Sequence, residues 1–328
     1  MKKILGLGNA LVDIIIPIES DDFLNELNLP KGSMQLVDMA ANDLVYAKSS
    51  HLEKTITAGG SAANTIKGIA ALGQPSAFIG MIGKDEYGQF YQQDLVKYNI
   101  KPILHLSNTK TGNANAFISK DSERTFATYL GAAVEMNPDH LNEAIFEEYD
   151  IIHIEGYLVQ NQALLRKAVG LGKKFNKKIS LDLASYNVVE ANIDFLKELI
   201  AIGVDIIFAN EEEAKAFTGM EPAEAVHELA RHCHTAIVKI GSKGSLVKQN
   251  GMLHECGVIP ANPIDTTGAG DLYAAGFLYG MANNLTAPDC GKIGAILSGK
   301  VIEVLGAGIP DNSWEGIMQS INEVRKPI

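Results

Sequence analysis

The stretch PIDTTGAGDLYAAGF, Pro263–Phe277, sets two glycines and an aspartate just ahead of an apolar run of helical length. Glycine is a poor helix-interior residue and a good one where backbone must approach something closely. A glycine-rich loop entering a helix presents N–H groups and the positive end of the helix dipole, which together suit an anion. Gly268, Ala269 and Gly270 would supply those amides. Asp271 lies in the first turn, where the dipole favours its ionised form. An ionised carboxylate beside an anion hole can accept a proton from a hydroxyl nucleophile. Asp265 would order the loop from its entry. The competing reading is a plain capped helix, with Thr267 as the cap and the glycines as a turn.

Four other stretches carry possible chemistry. In AGGSAANTIKGIAALG, Ala58–Gly73, the pair Gly59-Gly60 would let a polar ligand lie against backbone. Asn64 then offers a donor and an acceptor suited to a hydroxyl pair. In GLGNALVD, Gly6–Asp13, a dinucleotide fingerprint is nearly complete, but Leu11 stands where its third glycine belongs. The following IIIPI is β-branched and contains Pro17, so it reads as strand. Asp13 is better explained as a carboxylate that accepts hydrogen bonds from sugar hydroxyls. In NEEEA, Asn210 and Glu213 stand three apart at a helix start, an amide and a carboxylate able to hold Mg²⁺ through waters. KIGSKGS, Lys239–Ser245, is a glycine turn between two strands. RHCHT, Arg231–Thr235, has adjacent ligand types that face different ways on a helix, so it reads as a surface end. A GxxxxGK[ST] phosphate loop is absent.

Strands are expected at Lys3–Gly8, Ser76–Ile82, Asp150–Glu155, Lys178–Leu183, Val204–Ala209 and Ala236–Ile240. Helical patterns lie between them, at Ser61–Leu72, Gln160–Phe175, Asn192–Ile202 and Glu211–Thr218. This alternation predicts a mostly parallel sheet covered by helices on both faces. After Pro263 only helices follow, at Gly270–Ala282, Ala287–Leu305 and Asn312–Val324. Two regions, Leu11–Asp38 and Lys101–Leu130, break the rhythm with short segments suited to antiparallel strands. They are expected to meet as a small β lid. The division is then 1–10, 39–100 and 131–328 for the core, and 11–38 with 101–130 for the lid. Polar residues gather after the strands, where open α/β sheets bind ligands.

The chain has 328 residues, 46% hydrophobic and 20% charged, so a large globular fold is expected. A net charge of −11 argues against a nucleic-acid partner. Three scattered cysteines argue against a disulfide framework and fit a reducing compartment. The apolar N-terminus is interrupted by Asn9 and Asp13 and shows no A-x-A site. No segment reaches 18 uncharged apolar residues, so no membrane span is expected and the location reads as cytoplasmic.

Together these stretches resemble the ribokinase-like (PfkB) family of carbohydrate and nucleoside kinases. The resemblance runs over nearly the whole chain and rests on GGSAANTIKGIAALG and DTTGAGDLYAAGF, with GMIGKDEYG between them. GNALVD and ERTFATYLGAA look closest to its adenosine kinase and sugar kinase branch. The resemblance implies a three-layer α/β/α sandwich with a small β-sheet lid, and ATP-dependent phosphorylation of a primary alcohol. By motif, Asp271 looks like the catalytic base, and the amides of Gly268, Ala269 and Gly270 like the anion hole. Asp13, Gly59, Gly60 and Asn64 look like substrate contacts. Asn210 and Glu213 match an NxxE motif linked to Mg²⁺ and phosphate. Lys239, Gly241 and Gly244 fall on a nucleotide loop usually written TxGxxG, so Lys239 replaces its threonine. Gly306 and Gly308 would lie near the adenine. The resemblance also implies a monovalent cation such as K⁺, and a homodimer through the lid. Phe117, Phe126 and Tyr129 are lid aromatics placed to touch a sugar or base, or to pack the lid. Two other readings compete: a non-catalytic sugar- or nucleotide-binding sensor, and a nicotinamide oxidoreductase.

Overall fold

A computed structural model describes residues 1–121 and 123–325. Apolar β-branched runs become strands of one nine-stranded sheet. Its parallel body comprises Ile4–Leu7, Ser76–Gly83, Ile100–Ser107, Ile151–Glu155, Lys178–Asp182, Ile206–Asn210 and Thr235–Lys239. Ser245–Gln249 and Met252–Cys256 extend one edge in antiparallel fashion.

Both faces of this sheet are apolar, which is why its strands read as continuous hydrophobic runs. Along Ile206–Asn210, Ile206 and Phe208 join one core cluster while Ile207 and Ala209 join the other. The first cluster takes in helices Ser61–Ala71, Ala269–Ala282 and Ala287–Val301. The second takes in Gln162–Lys174, Ile193–Gly203, Glu211–Thr218 and Pro222–Leu229. Ser76–Gly83, Ile151–Glu155, Lys178–Asp182 and Ile206–Asn210 each lead into a helix, and helices cover both faces, giving three layers. Among the described residues, no helix is long and apolar enough to cross a membrane.

A second sheet has the order Met34–Leu36, Arg124–Gly131, Thr111–Ile118, Leu11–Pro17, Thr55–Gly59. Two of the boundaries expected for the lid shift. Ile100–Ser107 pairs in parallel with Ser76–Gly83 and forms an edge of the large sheet. Pro102 is tolerated there because an edge strand has one unpaired side. Thr55–Gly59, expected in the core, instead pairs antiparallel with Leu11–Pro17 in the small sheet. Leu11–Pro17 is itself strand, so no helix follows the glycines of GLGNAL and the dinucleotide fingerprint is not built.

Candidate active site

The polar residues gather where the parallel strands end. Glu155 and Asp182 are register partners, as are Asn210 and Lys239. They form a polar row along one edge of an apolar sheet. Glu155 is buried and accepts hydrogen bonds from Asn9 N–H (2.9 Å), Asn9 Nδ2 (2.7 Å) and Ala62 N–H (3.0 Å). It thereby ties the loop after the first strand to the start of helix Ser61–Ala71. Burial still pushes its carboxyl up to about 7.

Helix Ala269–Ala282 points its N-terminus at this row. It packs tightly on helix Ser61–Ala71: a Cβ on Gly68 would come within 2.8 Å of Ala275 and Leu272. That approach brings two helix starts together. Ser61 Oγ donates to Asp271 Oδ1 (2.7 Å) and Asn64 Nδ2 to Oδ2 (3.1 Å). Thr65 Oγ1 adds a bond to the Asp271 carbonyl (3.1 Å). Both carboxylate oxygens are therefore oriented. Burial raises the Asp271 pKa to about 6; the Ser61 bond opposes this, Asp182 adds to it, and Asn64 and Lys239 oppose it.

The helix is not capped in the ordinary way. Its N-cap is Gly268, in the left-handed region at φ 74°, with no side-chain cap bond. Thr267 Oγ1 instead accepts from Arg124, and the Thr267 N–H donates to Asp265 Oδ1 (2.9 Å). Asp265 also accepts the Gly306 N–H (2.5 Å) and pairs with Arg124. The Ala269 N–H turns back to the Thr266 carbonyl (3.2 Å). Among the described residues, the amides of Gly268, Gly270 and Asp271 have no protein partner. Of the expected Gly268, Ala269 and Gly270, the Ala269 amide is thus already engaged and the Asp271 amide stands free in its place. Gly268→Ala is expected to destabilise the fold by roughly 2–4 kcal/mol, from left-handed strain and overpacking. Its Cβ would meet Ala307 at 2.6 Å. Thermal unfolding checks this, and an unchanged midpoint would refute it.

Asp13 lies across the cleft from this helix, on strand Leu11–Pro17. A Cβ on Gly59 would fall 2.1 Å from its carboxyl, so Gly59 makes room for Asp13 rather than lining the cleft. Gly60 does line it, at φ 96°. Burial pushes Asp13 up to about 7; Lys67 pulls it back and Asp271 adds to the rise. Lys67 Nζ also bonds Asp94 (2.5 Å), Thr57 Oγ1 (3.1 Å) and the Ala58 carbonyl (2.7 Å), fastening the small sheet to the core.

Asn210 and Glu213 form a closed capping box rather than two groups facing out. The Glu213 carboxylate accepts from Asn210 N–H (2.8 Å) and Nδ2 (2.7 Å), and Asn210 Oδ1 accepts the Glu213 N–H (2.8 Å). Burial, with Asp182 adding and Lys239 opposing, pushes Glu213 up to about 7. No three His, Cys, Asp or Glu side chains among the described residues could together hold a metal ion. Oxygen donors that leave most positions open fit a hydrated Mg²⁺ carried on phosphates, not a protein cage. Lys239 Nζ lies 3.2 Å from Asp182 Oδ2. Gly241, Gly244 and Gly306 line the cleft. A Cβ on Gly244, at φ 97°, would strike the Cys256 carbonyl at 2.0 Å. Gly308 is exposed and outside the lining.

The cleft between these elements is one cavity of about 1020 Å³. Asp13, Asn64, Asp182, Asn210, Lys239 and Asp271 share it. Of the three lid aromatics only Phe126 lines it; Phe117 packs on Phe23 at 5.6 Å and Tyr129 is buried away. Sequence reasoning missed Ser61, Lys67, Tyr157 and Arg124. Arg124 begins a strand of the small sheet yet lines the cavity and reaches Asp265 and Thr267 across it. A lone charged residue in a half-buried strand was the available signal.

The family described as pfkB family carbohydrate kinase matches residues 33–314. A nucleoside kinase from Methanocaldococcus jannaschii is 29% identical over 99% of this chain and 98% of its own. Adenosine kinase 2 from Arabidopsis thaliana is 24% identical, covering 94% and 96%. The solved adenosine kinase of Sinorhizobium meliloti superposes with a TM-score of 0.86 at 30% identity, covering 98% of this chain and 99% of that one. The fold is therefore ribokinase-like α/β.

Proposed function

Since the chain belongs to the pfkB family of carbohydrate kinases and is a phosphotransferase acting on hydroxyl groups, we propose that it phosphorylates the primary hydroxyl of a nucleoside with ATP. The observation that carries this reading is the Asp271 carboxylate, pinned by Ser61 and Asn64 at an uncapped helix start. It stands in a cavity large enough for two ligands. A nucleoside is favoured over a charged sugar because Leu11, Ala114, Ala116 and Phe126 give the small-sheet end an apolar wall. That wall suits a planar base, while Asp13 suits sugar hydroxyls. Relatives named adenosine kinase and nucleoside kinase point the same way.

In this reading the substrate enters beneath the small sheet, which serves as a lid, and its hydroxyls donate to Asp13. Its primary hydroxyl lies against Asp271, which takes the proton as the oxygen attacks the γ-phosphorus. The bond to the bridging oxygen breaks, and its electron pair leaves with ADP. The free amides of Gly270 and Asp271 hold the transferring charge. Asn210, Glu213 and Asp182 would orient the waters of a phosphate-bound Mg²⁺, which neutralises charge on the phosphates when bound. Asp265 couples Gly306 to Thr267, so one carboxylate sets both nucleotide-side loops. Arg124 completes the wall from the small sheet, and water exclusion protects ATP from hydrolysis. A homodimer through the small sheet belongs to the same reading, supported by exposed Met34, Leu36 and Ile56 there. Free thiols at Cys233, Cys256 and Cys290 fit a cytoplasmic setting.

A coupled ADP-release screen over nucleosides and sugars with MgATP tests this. Turnover with a nucleoside, adenosine foremost, is expected. Binding without turnover across the panel would favour the sensor reading instead.

A further inference from the structure

We infer, resting on the kinase reading above, that the Lys239 ammonium is a fixed positive charge that meets the transferring phosphoryl group. Lys239 closes strand Thr235–Lys239 beside Asn210. Its side chain crosses the strand ends to the mouth of helix Ala269–Ala282, where a Cβ on Gly270 would come within 3.0 Å of Nζ. Gly270 thus leaves space that the ammonium fills. Two sources of positive potential then converge: the free amides, which carry the positive end of the helix dipole, and the lysine charge.

The rival explanation is a structural counter-ion. Burial opposes the charge, but Asp182, Glu213 and Asp271 outweigh it and raise the Lys239 pKa. That accounts for a lysine among carboxylates. It does not account for where the ammonium sits. A helix N-terminus repels a cation, so the dipole works against a placement that the carboxylates favour, and an anion lying between the two would relieve it. Among the described residues the one hydrogen-bond partner of Nζ is Asp182. An ammonium has three donors, so two remain for a ligand, and the side chain lines the cavity while only 16% exposed. A fixed charge that needs no reorganisation at the moment of transfer acts mainly on the transition state.

The test uses Lys239→Met and the double variant Lys239→Met/Asp182→Asn, which removes the ion pair as a neutral unit. With the best acceptor from the screen, Lys239→Met should lower kcat by about 100-fold and leave the acceptor KM nearly unchanged. The acid limb of its pH profile should move to higher pH, because Asp271 loses a cation that holds its pKa down. The other groups facing Asp271 are Asp13, Glu155, Tyr157 and Asp182, with Ser61 and Asn64 as hydrogen-bond donors. The double variant should regain thermal stability but not kcat. Recovery of kcat in the double variant, or an unmoved acid limb in Lys239→Met, overturns the inference and leaves a counter-ion. If the unaltered protein turns over no acceptor, the kinase reading is what fails. Titration then decides: Lys239→Met must weaken MgATP binding by about tenfold and spare adenosine, and equal losses overturn it.

Discussion

Asp271→Asn is expected to lower kcat by about 10³–10⁴-fold while MgATP and acceptor still bind with near-normal affinity. The magnitude is that of losing a positioned general base. The change keeps the side-chain shape, and Ser61 can still donate to the remaining carbonyl oxygen. It removes the ability to take a proton from the attacking hydroxyl. The pH profile gives a second reading of the same group. With Asp271 pushed up to about 6, turnover of the unaltered protein should fall as pH drops through that value, because the protonated acid already carries the proton it would have to take. The variant should lack that limb. Stopped-flow or coupled ADP assays from pH 5 to 8 measure both, and near-normal turnover in the variant would show that the base lies elsewhere.

Stability should run against activity across the same range. Burial pushes Asp13, Glu155 and Glu213 each up to about 7 and Asp271 to about 6. In the unfolded chain such groups ionise near 4. Between those values the folded state binds more protons than the unfolded state, so stability is full at low pH and is lost as pH rises through about 7. His153 works in the opposite sense. Burial lowers it to about 4, so below roughly 6.5 the unfolded chain takes up a proton that the fold refuses. Several carboxylates outweigh one imidazole at first. The ligand-free protein should therefore gain on the order of 3 kcal/mol from pH 8 to pH 6, and go on gaining until the unfolded carboxyls also take up protons at about pH 4. Urea midpoints at the two pH values check this; equal midpoints, or a higher one at pH 8, would mean these carboxylates are solvated in the folded state.

Much of the architecture is legible locally. Apolar runs such as DIIFAN and TAIVKIG could be placed because a strand covered on both faces leaves no polar alternation to misread. NEEEA could be placed because acidic residues and an N-cap act within one turn. The lid boundaries fail for the converse reason. Thr55–Gly59 is assigned by its pairing with residues 11–15, about forty to fifty positions earlier, as Leu11 sits opposite Gly59. Nothing within TITAG announces that partner. At the site, glycines and acidic residues stood out by composition, whereas Ser61 and Arg124 did not. Their role lies in a hydrogen bond spanning 210 residues for Ser61 and one spanning 143 for Arg124. Lys239 was legible as a departure from the expected threonine, but only its distance to Gly270 says what the departure does.

The contact at Gly68 has a consequence for how such a protein can diversify. It welds the helices carrying Ser61, Asn64 and Asp271 into one body. The wall formed by Leu11, Ala114, Ala116 and Phe126 belongs to a separate sheet. Mutational tolerance is therefore unevenly shared between them. Drift in the small sheet can redraw which acceptor is admitted while the proton-accepting apparatus stays fixed. A lineage built on this plan can explore new metabolites one side chain at a time, without passing through forms that have lost their chemistry.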